Sequence, residues 1–213
     1  MQHILEVQKK AFLKEGPPSL EKRTDLLKRC VALIETHQDK IIKALNQDFQ
    51  NRSVDEIKIS EIDQTIRNIL FTIKKLNKWM QPQRRFSSLG TDLLGAKSIL
   101  QPSPLGTVGI IAPWNFPVGL IFYPLASIFA AGNRAMVKPS EITPATANII
   151  KEGVEKYFDE YKIVPDETRS IVDGAIKPWE TKVFGYQKKY FVELIQISAM
   201  FFIFRTIYYC IRL

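Results

Sequence analysis

Asn115 and the segment Lys138-Pro139-Ser140-Glu141 are the residues of this 213-residue chain whose types and spacing suit chemistry. A lysine ammonium at the end of a strand donates to ribose hydroxyls. A carboxylate three residues on accepts from the 2′- and 3′-hydroxyls and repels a 2′-phosphate, which favours NAD over NADP. Asn115 lies between Pro113 and Pro117. Its carboxamide N–H can stabilise an oxyanion that develops only in a transition state, an effect of about 3–4 kcal/mol. Plainer readings of the same residues stay open. Asn115 can simply cap a turn between two prolines, Lys138 and Glu141 can form a surface salt bridge with a helix-initial acid, and Trp114 can be core.

These residues need strands to hold them. The β-branched run at 108–111 reads as a buried strand, broken by Pro113-Trp114-Asn115-Phe116-Pro117. A helix follows over about 118–131 and stops at Gly132-Asn133, and a second short strand spans 135–138. Strand, turn, helix, strand is one βαβ unit, with a polar side chain at the carboxyl end of each strand. Open α/β sheets bind ligands at those ends.

Upstream, the chain is patterned for helices. Residues 2–14 form a short one, stopped by Gly16-Pro17-Pro18. Ser19 is a plausible N-cap for the next, with Lys22 where a capping box takes Glu. Apolar residues recur at helical spacing over 20–49, and His37-Gln38-Asp39 can divide this stretch into two helices. Asn51-Arg52-Ser53 is a turn. Ile57, Ile59, Ile62, Ile66, Ile69, Leu70, Ile73, Leu76 and Met80 then mark a long amphipathic helix, ended by Pro82. Residues 86–104 look irregular or hairpin-like. Pro144 opens a further helix to about 158, with Thr143 as N-cap.

The PWNFP segment, the Ala-Gly-Asn turn and the KPSE segment, at this spacing, resemble the aldehyde dehydrogenase superfamily. Asp48-Phe49-Gln50-Asn51-Arg52-Ser53, Trp79-Met80-Gln81-Pro82 and the stretch from Gln101-Pro102 to Gly106 resemble the branch holding the fatty and coniferyl aldehyde dehydrogenases. The resemblance covers roughly residues 1–160. It implies an α/β fold: a helical N-terminal region followed by an incomplete Rossmann-like cofactor domain. It implies NAD(P)⁺-dependent oxidation of an aldehyde to a carboxylic acid, with NAD preferred and NADP possible. By resemblance Asn115 is the oxyanion asparagine. Ile111, Ala112, Pro113 and Trp114 line the nicotinamide side, and Lys138, Ser140 and Glu141 serve the cofactor. Family members are homo-oligomers and use part of 86–104 as an oligomerisation strand; no oligomer is expected here.

The same family also needs a glycine-rich turn for the pyrophosphate, a glutamate base and a nucleophilic cysteine. None is found at a matching position. Cys30 sits mid-helix in an apolar stripe, where a buried free thiol is the ordinary reading, and Cys210 lies in the tail. His3 and His37 have no carboxylate or hydroxyl partner at recognisable spacing. Covalent catalysis needs an activated nucleophile near its base. The expectation is therefore a family member truncated before its catalytic Cys and Glu, inactive alone and at most weakly bound to its cofactor. The alternative is a non-enzymatic remnant or fusion with weak nucleotide or partner binding.

The composition is ordinary for a globular protein, and the net charge of +8 is scattered, with no block of five like charges. That describes a solvated basic surface, suited to an anionic dinucleotide, rather than a nucleic-acid binder. No metal-ligand or disulfide spacing appears, no signal peptide opens the chain, and a cytoplasmic location is expected. After Glu160 the family pattern ends, and 161–213 reads as an unrelated, poorly packed tail. Val164-Pro165-Asp166 through Pro178-Trp179 resembles a segment of the large bacterial excision-repair ATPase that recognises DNA damage, without any Walker or signature motif. The aromatic stretch 197–213 is short for a membrane span. It can be a frayed or helical tail, an interfacial anchor, or the translation of an unrelated or frameshifted reading. Two strands cannot make a sheet buried on both faces. The βαβ unit should therefore expose apolar surface, and stability should be marginal.

Overall fold

The computed structural model describes residues 2–86, 95 and 97–158, all within one compact unit, Gln2–Val164. The expectations for 161–213 lie outside the described residues. Helix α1 (Gln2–Glu15) is followed by α2 (Leu20–Thr36) and α3 (Gln38–Phe49). Ser19 caps α2 as its sequence suggests, its hydroxyl accepting from the Lys22 N–H at 3.2 Å. The stretch 20–49 is indeed two helices, divided at His37, whose ring Nδ1 meets the Leu33 carbonyl at 2.9 Å. α3 ends in a left-handed turn, Gln50 at φ 58° and Asn51 at φ 138°.

The expected long helix has an irregular start. A single turn α4 (Val54–Ile57) passes into a π-helical turn (Lys58–Asp63) and then α5 (Gln64–Trp79). The π turn shifts the buried stripe. Ile57, Glu61, Thr65, Ile69, Thr72 and Leu76 face inward, whereas Ile59 and Leu70, read as part of the apolar face, are 67% and 50% exposed. Strands β1 (Gln83–Arg85) and β2 (Ser98–Leu100) then pair antiparallel, Arg84 opposite Ile99; only β2 lies within the stretch 86–104 read as irregular or hairpin-like.

The βαβ unit is β3 (Thr107–Ile111), α6 (Gly119–Ala130) and β4 (Arg134–Lys138). β3 and β4 are parallel, in register from Thr107 opposite Arg134 to Ile111 opposite Lys138. α6 is apolar nearly all round and is buried at Ile121, Phe122, Leu125, Ala126 and Phe129, as a helix enclosed by neighbours must be. It packs on α2 and α5 as well as on both strands. Arg23 locks the start of α2 to the end of α6, donating to the Pro18 and Ala130 carbonyls at 2.9 Å each. Gly132 turns beside it at φ 84°, where a Cβ would lie 2.7 Å from the guanidinium; only glycine meets both demands. The N-terminal helix is held to the sheet by Arg134, which donates to Gln8 and Glu15 at 2.8 Å each.

β3 is less buried than its sequence suggests. Ile110 is inside, but Ile111 is 66% exposed. Among the described residues its ladder has only β4, which leaves one edge unpaired, and the face that carries Ile111 is open. Apolar side chains are exposed as expected, with Ile142, on the turn after β4, 60% exposed as well.

Helix α7 (Pro144–Tyr157) corrects another expectation. Thr143 does not cap it. The Thr143 hydroxyl is buried and has no hydrogen-bond partner among the described residues. The cap comes from Asp48 on α3, 97 and 98 residues distant in sequence, whose carboxylate accepts from the Ala145 N–H at 3.0 Å and the Thr146 N–H at 2.8 Å, and from the Thr146 hydroxyl at 2.7 Å. A carboxylate satisfies two orphan amides and complements the helix dipole. Asp48→Ala should lower stability by about 1–2 kcal/mol in urea unfolding, and Asp48→Asn by less. An Asp48→Ala chain as stable as the parent would remove the cap from the account.

Candidate functional site

The register that opposes Ile111 to Lys138 puts the carboxyl ends of β3 and β4 side by side. The Ala112 N–H donates to the Lys138 carbonyl at 3.0 Å, adding one bond beyond the ladder. Asn115 follows on the turn after β3, and Ser140 and Glu141 on the turn after β4. The structure thus brings the sequence-predicted residues to one end of the sheet. Ala112 is buried, Ile111 is exposed, and Pro113, Trp114 and Asn115 are half-buried. The Trp114 ring tilts against Phe49 at 6.3 Å between centroids, so it is part core and part surface.

The side chains differ in readiness. Asn115 is half-buried on its turn, and its backbone carbonyl lies 3.4 Å from Arg52 Nη1. Lys138 and Glu141 meet each other in an ion pair, the plainer of their two readings. A vicinal diol entering there would donate to Glu141 and accept from Lys138. Ser140 is buried, and its hydroxyl accepts from the Ile142 N–H at 3.2 Å. That oxygen holds the turn, leaving its proton and one lone pair for a ligand.

Sequence reasoning missed the group that supports Asn115. Glu61, fully buried in the π turn, accepts on Oε2 from the Val118 and Gly119 N–H groups at 3.1 and 3.0 Å. These amides open α6, directly after the PWNFP turn. Glu61 Oε1 accepts from Arg52 Nη1 at 2.7 Å. Arg52 in turn reaches the Asn115 carbonyl at 3.4 Å and Glu56 at 3.0 Å. Its guanidinium lies 5.2 Å from the Phe49 ring centroid and 4.9 Å from that of Phe116, within cation–π range. Burial pushes the Glu61 carboxyl above the usual carboxylate range, opposed by the Gly119 N–H, by Arg52 and by the Val118 N–H. The available signal was an acid in the inward stripe: Glu61 stands four residues from Ile57 and eight from Ile69.

Cys30 is fully buried among the core residues of α2, and burial pushes its thiol far up. A thiol so placed cannot present a thiolate to a substrate. Among the described residues no group of His, Cys, Asp and Glu could hold a metal ion.

The model of the aldehyde dehydrogenase family matches residues 1–180. The chain belongs to the aldehyde dehydrogenase family. Family membership accounts for the βαβ unit and for the helical region before it. A protein of Caulobacter vibrioides, described as a probable coniferyl aldehyde dehydrogenase, is 46% identical over 166 residues, covering 76% of this chain and 34% of that one. Coniferyl aldehyde dehydrogenase of Pseudomonas sp. strain HR199 is 40% identical over 159 residues, covering 75% and 32%. The substrate-bound state of Staphylococcus aureus AldH superposes with a TM-score of 0.70 at 33% identity, over 75% of this chain and 34% of that structure. The chain spans about a third of the length of these relatives. Residues 159–202 also match the model of the UvrA DNA-binding domain, in line with the resemblance noted at 164–179. Residues 159–180 are matched by both.

Proposed function

We propose that residues 1–158 of this aldehyde dehydrogenase family member supply the oxyanion donor and the ribose contacts of an NAD-dependent site that oxidises an aromatic, coniferyl-type aldehyde. The observation that carries this reading is the parallel register of β3 and β4, which sets Asn115 on the turn after one strand and the Lys138–Glu141 pair at the end of the other. Asn115 receives the developing alkoxide. Ile111 to Trp114 form the nicotinamide wall. Lys138 and Glu141 bind the ribose hydroxyls, and Glu141 repels a 2′-phosphate. NAD supplies the hydride acceptor when bound.

The test is a chimera in which residues 1–158 replace the aligned segment of the Caulobacter vibrioides relative. NADH formation with coniferyl aldehyde is expected, with NADP⁺ the poorer acceptor. A folded chimera that produces no NADH would overturn the reading.

Residues 161–213 are assigned no catalytic role, and no nucleic-acid partner, oligomer or membrane association is assigned to the chain; its expected place is the cytoplasm. Among the described residues no helix is long and apolar enough to cross a membrane. The UvrA-type match over 159–202 favours a second reading for that segment alone. Titrating duplex DNA against the full chain and against residues 1–158 separates the two, since only a DNA-binding segment would make the full chain bind more tightly at physiological salt.

A further inference from the structure

We infer that Glu61 and Arg52 are positioning residues for Asn115, a relay that runs from the first amides of α6 through two buried charges to the backbone of the oxyanion turn. The inference rests on the reading of Asn115 as the oxyanion donor and adds to it what holds that donor in place.

The geometry of the relay is continuous. One Glu61 oxygen takes both the Val118 and Gly119 N–H groups, fixing where α6 begins. The other oxygen holds Arg52, and Arg52 spans to the carbonyl of Asn115 itself. Both ends of the turn from Asn115 to Val118 are therefore tied to one carboxylate. The carboxylate and the guanidinium are nearly sealed from water, with side chains 0% and 8% exposed. Two backbone irregularities aim them. The left-handed Gln50-Asn51 turn delivers Arg52, and the π turn delivers Glu61. Positive φ outside glycine and π turns inside helices both cost stability and gather at functional sites. An ordinary amphipathic helix would need neither, and a simple helix cap would not need a buried arginine that reaches the asparagine before it.

The guanidinium also lies within cation–π range of two rings, Phe49 and Phe116. Phe116 adjoins Asn115 in sequence, so this contact steadies the turn from its side-chain face while the hydrogen bond steadies it from the backbone. A lysine keeps the charge but loses the planar fork.

The experiment is NMR on the ¹⁵N-labelled full chain, free of aldehyde and cofactor. In the parent, the Asn115 side-chain amide pair is expected to be ordered, with relaxation like that of the core. In Arg52→Lys the Asn115 pair should shift and become mobile, while the Val118 and Gly119 amides keep their positions because their bonds to Glu61 Oε2 do not involve Arg52. In Glu61→Gln those two amides should shift as well. The amides of Lys138 and Glu141 should stay put in both variants. A purely structural role predicts lower thermal stability with Asn115 unchanged. A parent whose Asn115 side chain is already mobile overturns the inference, whether or not the variants fold. So does a folded Arg52→Lys chain with the parent's Asn115 signals. Neither result touches the oxyanion reading, which stands or falls on turnover by the chimera.

Discussion

In the chimera carrying residues 1–158, Asn115→Ala is expected to lower kcat by about 10²–10³-fold, or roughly 3–4 kcal/mol of transition-state stabilisation. The KM for NAD⁺ should stay nearly constant, because the carboxamide acts on charge that exists only after attack on the carbonyl. Lys138→Ala should do the reverse, raising the KM for NAD⁺ with a smaller effect on kcat. The split matters because the two side chains sit at neighbouring strand ends, and general damage to that end of the sheet would move both constants in both variants. An Asn115→Ala chimera with kcat within a factor of three of the parent would leave the asparagine as a turn residue only.

The largest stability effect is expected at Phe122. It is fully buried on α6, the helix that joins the N-terminal helices to the two-stranded sheet. Truncating a buried phenylalanine costs about 3–5 kcal/mol, through lost burial and the cavity left behind. Domains of this size are stable by only about 5–15 kcal/mol, and this one carries exposed Ile111 and Ile142 as well. Phe122→Ala should therefore remove much of the margin, read as a lower urea midpoint at unchanged slope. A loss under 1 kcal/mol would mean that α6 is not the centre of the fold.

The parts of the molecule that the sequence makes legible are those set by local pattern. Apolar runs bounded by prolines and Gly132 marked β3, α6 and β4 within a residue or so. Helical spacing marked α2, α3 and α5, and the polar His37-Gln38-Asp39 marked their division. The placement of Asn115, Lys138, Ser140 and Glu141 at one end of the sheet was legible for the same reason, since strand ends follow from strands.

What was hidden depends on partners far away in the chain. Thr143 looked like a cap because Thr is a good one, but the carboxylate that caps α7 comes from Asp48. Glu61 looked like an ordinary helix acid because nothing nearby announces the amides it serves, 57 and 58 residues on. The π turn that aims it adds one residue to a stripe whose period otherwise reads as plain helix, so Ile59 was placed inside when it faces out. Burial of β3 was overestimated because a β-branched run does not say whether an element packs on both faces of it.

The proposed division of labour is that residues 1–158 supply an oxyanion donor and cofactor contacts, and that neither cysteine of this sequence acts as the nucleophile. The two cysteines of these 213 residues are Cys30 and Cys210, and Cys30 is sealed in the core. The most direct measurement is NADH absorbance when the purified 213-residue chain meets coniferyl aldehyde and NAD⁺. The account predicts no turnover above the protein-free rate. Turnover that scales with the chain and persists after alkylation of every accessible thiol would contradict it.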